Sequence, residues 1–452
     1  MLVVRQHLAT VIRAAVDAAD PGRAVLDAWP EELDHAPPRS VDILAFGKAS
    51  VGMAAAAGRR LGPALEGGRV LAVPERIGAA ALNPSLKTFR ADHPLPTPRT
   101  LAAAESVERW LRDTPDDAAR RTLLCLISGG GSAHLTLPRD PLTIDDVAGV
   151  TRTLQNAGAT VHELNTVRRH IERLKGGRLA LVAPHRRIVA LVISDVEGDD
   201  PGTIASGPLT PDPTTPADAL RVLDAHGAAD AAPAVTEFLR DAAAHPPAGG
   251  GAGGPSDPSR VVYRVILNNR AIIDRAARAA EGLGYQTKVL SGWIKGESKA
   301  AGERFARLAL EHAEQGPLCL LAGGEPTVNI GASTGAGGPS TEFALASAFV
   351  IAGRADVTIA ALSTDGVDGP PHPSDGPAGP PAGAIADRAT VGRAEALQAD
   401  AAGALARHDS RAAFRPLSDL IITGPTGTNV NHLFLAMIEP GHEGPRRGDA
   451  VA

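Results

Sequence analysis

The sequence predicts an α/β protein made of two α/β domains with mainly parallel sheets. Three observations predict this class: apolar runs without alternation that each close on a Gly/Asp/Ser/Thr loop, helical patterns between those runs, and a Pro/Gly tract near the middle of the 452 residues.

The runs come in a regular order. Val41–Phe46 closes on Gly47-Lys48-Ala49-Ser50, Thr122–Ile127 on Ser128-Gly129-Gly130-Gly131-Ser132, and Ile188–Ile193 on the loop from Ser194 to Asp200. Leu318–Ala322 closes on Gly323-Gly324-Glu325, Val357–Leu362 on the loop from Ser363 to Gly369, and Leu420–Ile422 on the loop from Thr423 to Asn429. Continuous apolar runs are what strands covered on both faces look like. Helical spacing fills several gaps between them, at Leu101–Leu111, Ala271–Gly282 and Ala300–Glu314. Strands alternating with helices make βαβ units, and such sheets bind ligands beyond the carboxyl ends of their strands. The strand-end loops are therefore the place to look for chemistry.

The Pro/Gly tract sets the expected domains: 1–245, a linker at 246–259, 260–439, and a polar tail at 440–452. Such a tract reads as a flexible connection. A second Pro/Gly-rich stretch, Gly369–Gly383, reads as an insertion rather than a lid. The segment from Val3 to Ala19 reads as a surface helix, since it has neither a continuous apolar core nor a signal-like cleavage region.

Composition excludes several function classes. Apolar residues at 44% suffice for sizeable cores, and a net charge of −6 offers no basic excess for nucleic-acid phosphates. No run approaches the roughly 20 apolar residues of a membrane span, so a cytoplasmic location is expected. Cys125 and Cys319 are the two cysteines, and both read as buried thiols rather than a disulfide or a zinc site. His93, His134 and His170 have no metal-ligand spacing and read as structural.

Several loops carry candidate chemistry. Three glycines in Ser128–Ser132 exceed what a tight turn needs; they let the backbone approach an anion, with a following helix N-terminus aiming N–H groups at it. Lys48 is either a phosphate-binding point charge or a solvated cap residue. Asn165, Arg168 and Lys175 would line one face of a helix, suited to a carboxylate or phosphate unless that face is simply solvated. Asp195, Asp199 and Asp200 share one loop, and Asp365 and Asp368 another. They suit Mg2+ ligation or a general base, against turn formation and N-capping. Neither a P-loop nor a dinucleotide fingerprint is present, and Gly331-Ala332-Ser333-Thr334-Gly335 matches the nucleophile-elbow pattern only by chance.

Taken in order, these loops resemble the class II glycerate 2-kinase family, whose C-terminal region is the MOFRL domain. Further matches are His93-Pro94-Leu95-Pro96, Asn165 to His170 with Lys175-Gly176-Gly177-Arg178, Ile204 to Pro208, Pro211 to Thr215, Gly323 to Val328, Thr364 to Gly369 and Gly424 to Val430. The resemblance implies a Rossmann-like N-terminal domain, a smaller MOFRL-type C-terminal domain, and transfer of a phosphoryl group from ATP, with Mg2+, to the 2-hydroxyl of D-glycerate. Carried over by motif, Lys48, Asp195 and Asp365 would be catalytic. Ser128, Gly129, Gly130, Gly131, Ser132, Asn165, Arg168 and Lys175 would bind substrate or phosphate. Gly323, Gly324, Glu325, Thr327, Gly427, Thr428 and Asn429 would bind nucleotide, and Asp195, Asp199 and Asp368 would serve a metal. The partners implied are ATP and a small hydroxy acid, with no nucleic acid and no membrane; a homodimer is left open.

The chain departs from the family pattern at three places. Gly337-Gly338-Pro339-Ser340-Thr341-Glu342 stands where the family has Gly-Gly-Arg-Asn-Gln-Glu, His432 stands where it has Asp, and a Pro/Gly insertion follows Asp368. Proline cannot replace a bidentate arginine, so a related hydroxy acid is open as acceptor. A hydroxypyruvate reductase and a non-catalytic metabolite- or nucleotide-binding protein are the alternatives.

Overall fold

In the computed structural model, residues 2–37, 39–113, 121–183, 186–245, 258–354, 356–377 and 379–439 are described. They form two compact units, each with a six-stranded sheet. The α/β class read from the apolar runs is what the structure has.

The first unit comprises residues 20–268 with 427–429. Its strands are β1 Val41–Phe46, β2 Leu65–Ala72, β3 Leu86–Arg90, β4 Thr122–Ile127, β5 Ile188–Ile193 and β6 Val261–Leu267. All neighbours pair in parallel, in the order β3-β2-β1-β4-β5-β6. This is the Rossmann order, with its topological switch point between β1 and β4. β1 and β5 are buried at every position, which is why their sequences do not alternate. A separate helical cluster packs Val147, Val150, Leu154, Val167, Ile171, Leu223 and Leu239 together. It includes the helix Val161–Ile171, started by a capping box in which Thr160 and Glu163 exchange hydrogen bonds.

The second unit comprises residues 1–19, 269–426 and 430–452. Its strands are β7 Gln286–Val289, β8 Leu318–Gly324, β9 Val357–Ser363, β10 Gly383–Asp387, β11 Leu420–Ile421 and β12 His432–Ile438, in the order β11-β10-β9-β12-β8-β7. Four strands run one way, while β10 and β12 run against them. β12 lies between β8 and β9, so it sets the loops after those two strands side by side at one end of the sheet.

The unit boundaries differ from those expected from composition. The N-terminal helix Leu2–Ala18 packs on the helix Asn269–Glu281, burying Leu8 and Val11 completely. Arg5 ties it to the sheet, with Nε donating to Asp387 Oδ2 at 3.1 Å and Nη2 to Asp419 Oδ2 at 3.2 Å. β6, which follows the expected linker, completes the first sheet rather than opening the second. Residues 246–257 of that linker and the tail 440–452 lie outside the described residues. The Gly369–Gly383 stretch is fastened at several points: the fully buried Arg411 donates to the Pro370 carbonyl at 3.1 Å and to the Asp375 carboxylate at 3.0 Å, Arg415 to Ser374 Oγ at 2.9 Å, and Asp368 N–H to the Pro381 carbonyl at 2.8 Å.

Within the first sheet one charge pair is held out of water. Arg186 Nη2 donates to Asp42 Oδ2 at 2.6 Å, and both side chains are buried. Removing one partner strands the other charge, whereas replacing both by apolar groups does not. Asp42→Ala is therefore expected to destabilise this unit by roughly 3–5 kcal/mol in denaturant unfolding. Asp42→Leu with Arg186→Met should recover most of that loss.

Candidate active site

The switch point brings together the loops after β1 and β4. Lys48 N–H donates to the Gly129 carbonyl at 2.9 Å, Ala49 N–H to Ser128 Oγ at 3.0 Å, and Gly47 N–H to Nδ1 of the buried His134 at 3.1 Å. The glycines are needed for close approach. A Cβ on Gly129 would stand 2.1 Å from Asp195 Oδ2, and one on Gly130 (φ +79°) would meet His93 Cδ2 at 2.9 Å and Lys48 Cγ at 3.3 Å. Lys48, His93 and Asp195 thus surround the glycine loop. The following helix, Gly131–His134, is a single turn. The expected helix-terminus contribution is accordingly small, and the site rests on side chains.

The helix Val161–Ile171 adds Arg168. The residue is 91% buried, and its guanidinium makes no hydrogen bond or ion pair with any described residue. Burial pulls its pKa down, with Glu172 opposing. Lys48 also lacks a side-chain partner among the described residues and is only partly buried. A buried arginine without a partner is rare, because desolvating its charge without compensation is expensive. Asp195 is the opposite charge of the site: burial raises its pKa, and Lys48 lowers it in part.

Asn165 and Lys175 do different work from that expected. Asn165 Nδ2 donates to the Thr203 carbonyl at 3.0 Å, and its Oδ1 accepts from Ser206 Oγ at 2.7 Å. Since Ser206 spends its proton there, Ser132 Oγ is the donor in the 2.8 Å Ser132–Ser206 contact. The expected helical face ends at Ile171, so Lys175 lies in a turn beyond it. It is 1% exposed, donates to the carbonyls of Ser132 at 2.7 Å and Leu135 at 3.0 Å, and pairs with Glu172 at 3.1 Å. Both residues hold the loop from behind.

Sequence reasoning missed Ser206 and placed His93 among structural histidines. Ser206 sits in a run of left-handed residues, Ala205 (φ +52°), Ser206 (φ +62°) and Gly207 (φ +61°). Non-glycine residues there cost about 1–3 kcal/mol each, which only the surrounding contacts can hold. No local propensity signals such a turn.

In the second unit the carboxylates are largely structural. Asp368 is fully buried, and both of its oxygens cap the helix Pro339–Ile351: Oδ1 accepts from Ser340 N–H at 2.6 Å, Oδ2 from Thr341 N–H and Oγ1, each at 2.8 Å. The expected metal role thus falls on a carboxylate that already accepts three hydrogen bonds at the start of this helix. Asp365 Oδ1 accepts from Ser363 Oγ at 2.7 Å and Val367 N–H at 2.9 Å, a bond pattern that closes its own loop. Asp199 (φ +55°) accepts from Asn268. Among the described residues, no three His, Cys, Asp or Glu side chains converge on a metal position.

The expected nucleotide residues are placed as follows. Gly323 and Gly324 are glycines because Asn269 and the Ile294 backbone pack where a Cβ would stand, while Glu325 and Thr327 are exposed. Gly427, Thr428 and Asn429 group with the first unit, where Gly427 lies beside Arg76. Pro339 opens its helix at a position that needs no N–H. Its neighbour Ser340 meets His432 Nδ1 at 2.8 Å, so the departures at 340 and 432 share one contact.

Asp368→Ala leaves two buried N–H groups without an acceptor. It should destabilise the protein by about 2–3 kcal/mol, read as a lower unfolding temperature.

Comparison with known proteins agrees with this architecture. Residues 7–240 match a domain of unknown function, DUF4147, and residues 318–432 match the MOFRL family. The chain is 33% identical to glycerate 2-kinase of Pyrococcus horikoshii over 96% of this chain and 97% of that one. It is 35% identical to a protein of Agrobacterium vitis provisionally named hydroxypyruvate reductase, over 96% and 94%. The crystal structure of Thermotoga maritima glycerate kinase superposes with a TM-score of 0.83 at 30% identity, covering 97% of this chain and all of that one. With both domains matched and this likeness spanning nearly its whole length, the chain belongs to the class II glycerate 2-kinase family, the glycerate kinases that carry a MOFRL domain.

Proposed function

We propose that this protein transfers the γ-phosphoryl group of ATP to the 2-hydroxyl of D-glycerate or a closely related small hydroxy acid. The observation that carries the reading is the pair of cations Lys48 and Arg168, neither with a side-chain hydrogen bond or ion pair to a described residue: Lys48 stands against Gly130, and both act on the His93 ring that lies over the same glycine. Such a pair is completed by an anion. Phosphoryl transfer is mostly positioning and charge neutralisation, for which these groups suffice in kind. The relatives named glycerate kinase support this anion chemistry over others.

Asp195 is the group suited to take the acceptor's proton. As the new O–P bond forms, the hydroxyl proton passes to the Asp195 carboxylate and the electrons of the breaking bond leave with ADP. Its raised pKa makes it a better base than an ordinary aspartate. Mg2+ fits as an ion held chiefly by the triphosphate, with Asp195 the nearest carboxylate to the loop; it neutralises phosphate charge when bound. No protein cage of three ligands is required for that mode.

The strand order and the name of the Agrobacterium vitis relative favour one second reading, a reductase. Against it, the β1 loop is Gly47-Lys48-Ala49-Ser50 and lacks the glycine fingerprint that seats a dinucleotide.

A coupled assay of ADP release over a panel of hydroxy acids decides between them. Mg2+-dependent release with glycerate or a near analogue is expected; consumption of NADH or NADPH with hydroxypyruvate, and no ADP release, would overturn the kinase. Lys48→Ala and Arg168→Met should each lower kcat/KM by roughly 100-fold or more with the fold intact. Asp195 must be ionised to act, so activity is present above its pKa and lost as pH falls through it. The acid limb of kcat should therefore lie above the ordinary carboxylate range, and Asp195→Asn should leave only a low residual rate without that limb.

A further inference from the structure

We propose that His93 is a third ligand of the anion that Lys48 and Arg168 hold, with its imidazole bounding the site over Gly130 together with the Lys48 stem. The proposal rests on the phosphoryl-transfer reading only for which anion is bound.

Position comes first. The space above Gly130 is bounded by His93 Cδ2 and Nε2, at 2.9 and 3.3 Å from where a Cβ would stand, and by Lys48 Cγ at 3.3 Å. A larger residue at 130 would therefore push the ring and the lysine apart. Availability comes second. His93 remains exposed, and neither ring nitrogen makes a hydrogen bond to a described residue. The neighbouring histidine shows the contrast. His134 is fully buried 6.5 Å away, ring to ring, and its Nδ1 is occupied by the Gly47 N–H. His134 shapes the β1 loop; His93 faces whatever the loop binds.

The electrostatics agree with a site that takes an anion. Crowding by the protein, then Lys48, His134 and Arg168, push the His93 pKa down to about 4. The nearby carboxylate of Asp92 is already engaged by Thr97 and by Arg99, whose Nε stands 3.1 Å away. In the free protein a proton on His93 would add a third cation beside Lys48 and Arg168. An arriving anion reverses that balance and raises the imidazole pKa, so binding draws in a proton. The bound state has the higher pKa, so affinity should strengthen as pH falls through it.

Two sources could supply the anion: the carboxylate of the hydroxy acid or a phosphate of ATP. Steady-state kinetics of wild type, His93→Gln and His93→Ala, with KM measured separately for D-glycerate and ATP, separates them. His93→Ala should raise one of the two KM values roughly tenfold while the other stays near wild type. A change in the glycerate KM assigns the anion to the acceptor, and a change in the ATP KM assigns it to the phosphates. Between about pH 5.5 and about pH 8.5 wild type should bind that substrate more tightly toward the acid end than His93→Gln, which cannot be protonated. A loss of packing alone would move neither the selectivity between substrates nor the pH difference. Unchanged KM values in both variants would overturn the proposal. If wild type turns over no hydroxy acid, the kinase reading fails by itself. The question for His93 is then settled by imidazole NMR with inorganic phosphate as the probe. Movement of the resonance missing from the His93→Gln spectrum upholds the role, and no movement overturns it.

Discussion

A single backbone hydrogen bond, from Lys48 N–H to the Gly129 carbonyl, joins the loops that leave β1 and β4, and the site is assembled around it. It forms because the two strands are parallel neighbours in register, with Phe46 beside Ile127, so both loops emerge at the same level. It brings the Lys48 stem against Gly130, and the absence of a side chain at 129 lets Asp195 come over the loop. Lys175 secures the far end through the carbonyls of Ser132 and Leu135, while Ser206 and Asn165 hold the Ser132 hydroxyl. The loop is thus gripped from both ends and from below. Lys48, against Gly130, makes no side-chain hydrogen bond to a described residue.

That division between satisfied and unsatisfied groups is the physical argument for function. Lys175 and Arg186 are buried cations that each hold a counter-ion, Glu172 and Asp42, and donate to backbone carbonyls as well. Arg168 is buried nearly as deeply, but Glu172 acts on it only at longer range and it makes no hydrogen bond or ion pair to a described residue. A fold does not keep an arginine that way for stability, because a hydrophobic residue of similar volume would serve better. Its retention makes sense when an anion supplies the missing partner, and the cost of desolvation is then recovered on binding.

Much of this was legible in the sequence, for identifiable reasons. Buried strands such as β1 and β5 cannot alternate, so their apolar runs stood out, as did the loops that follow them. Lys48, Arg168, Asp195 and the three glycines were named from residue type and position, and the structure brings Lys48 and Asp195 to the same loop. What was not legible depended on long-range contacts. Lys175 looks like a ligand in sequence and turns out to be a fastening, because the helix ends at Ile171 and redirects it. Asp368 looks like a metal ligand and caps a helix that begins 29 positions earlier in the chain. The membership of the N-terminal helix in the second unit depends on Arg5 meeting Asp387 and Asp419, more than 380 residues away. His93 carries no spacing signal at all; only the fold places it at Gly130.

The most direct measurement is a crystal structure of the protein with D-glycerate and a non-hydrolysable ATP analogue. The account predicts an anionic oxygen within hydrogen-bond distance of both Arg168 and Lys48 above Gly130. A complex in which both ligands are bound elsewhere, and Arg168 still has no partner, would contradict it.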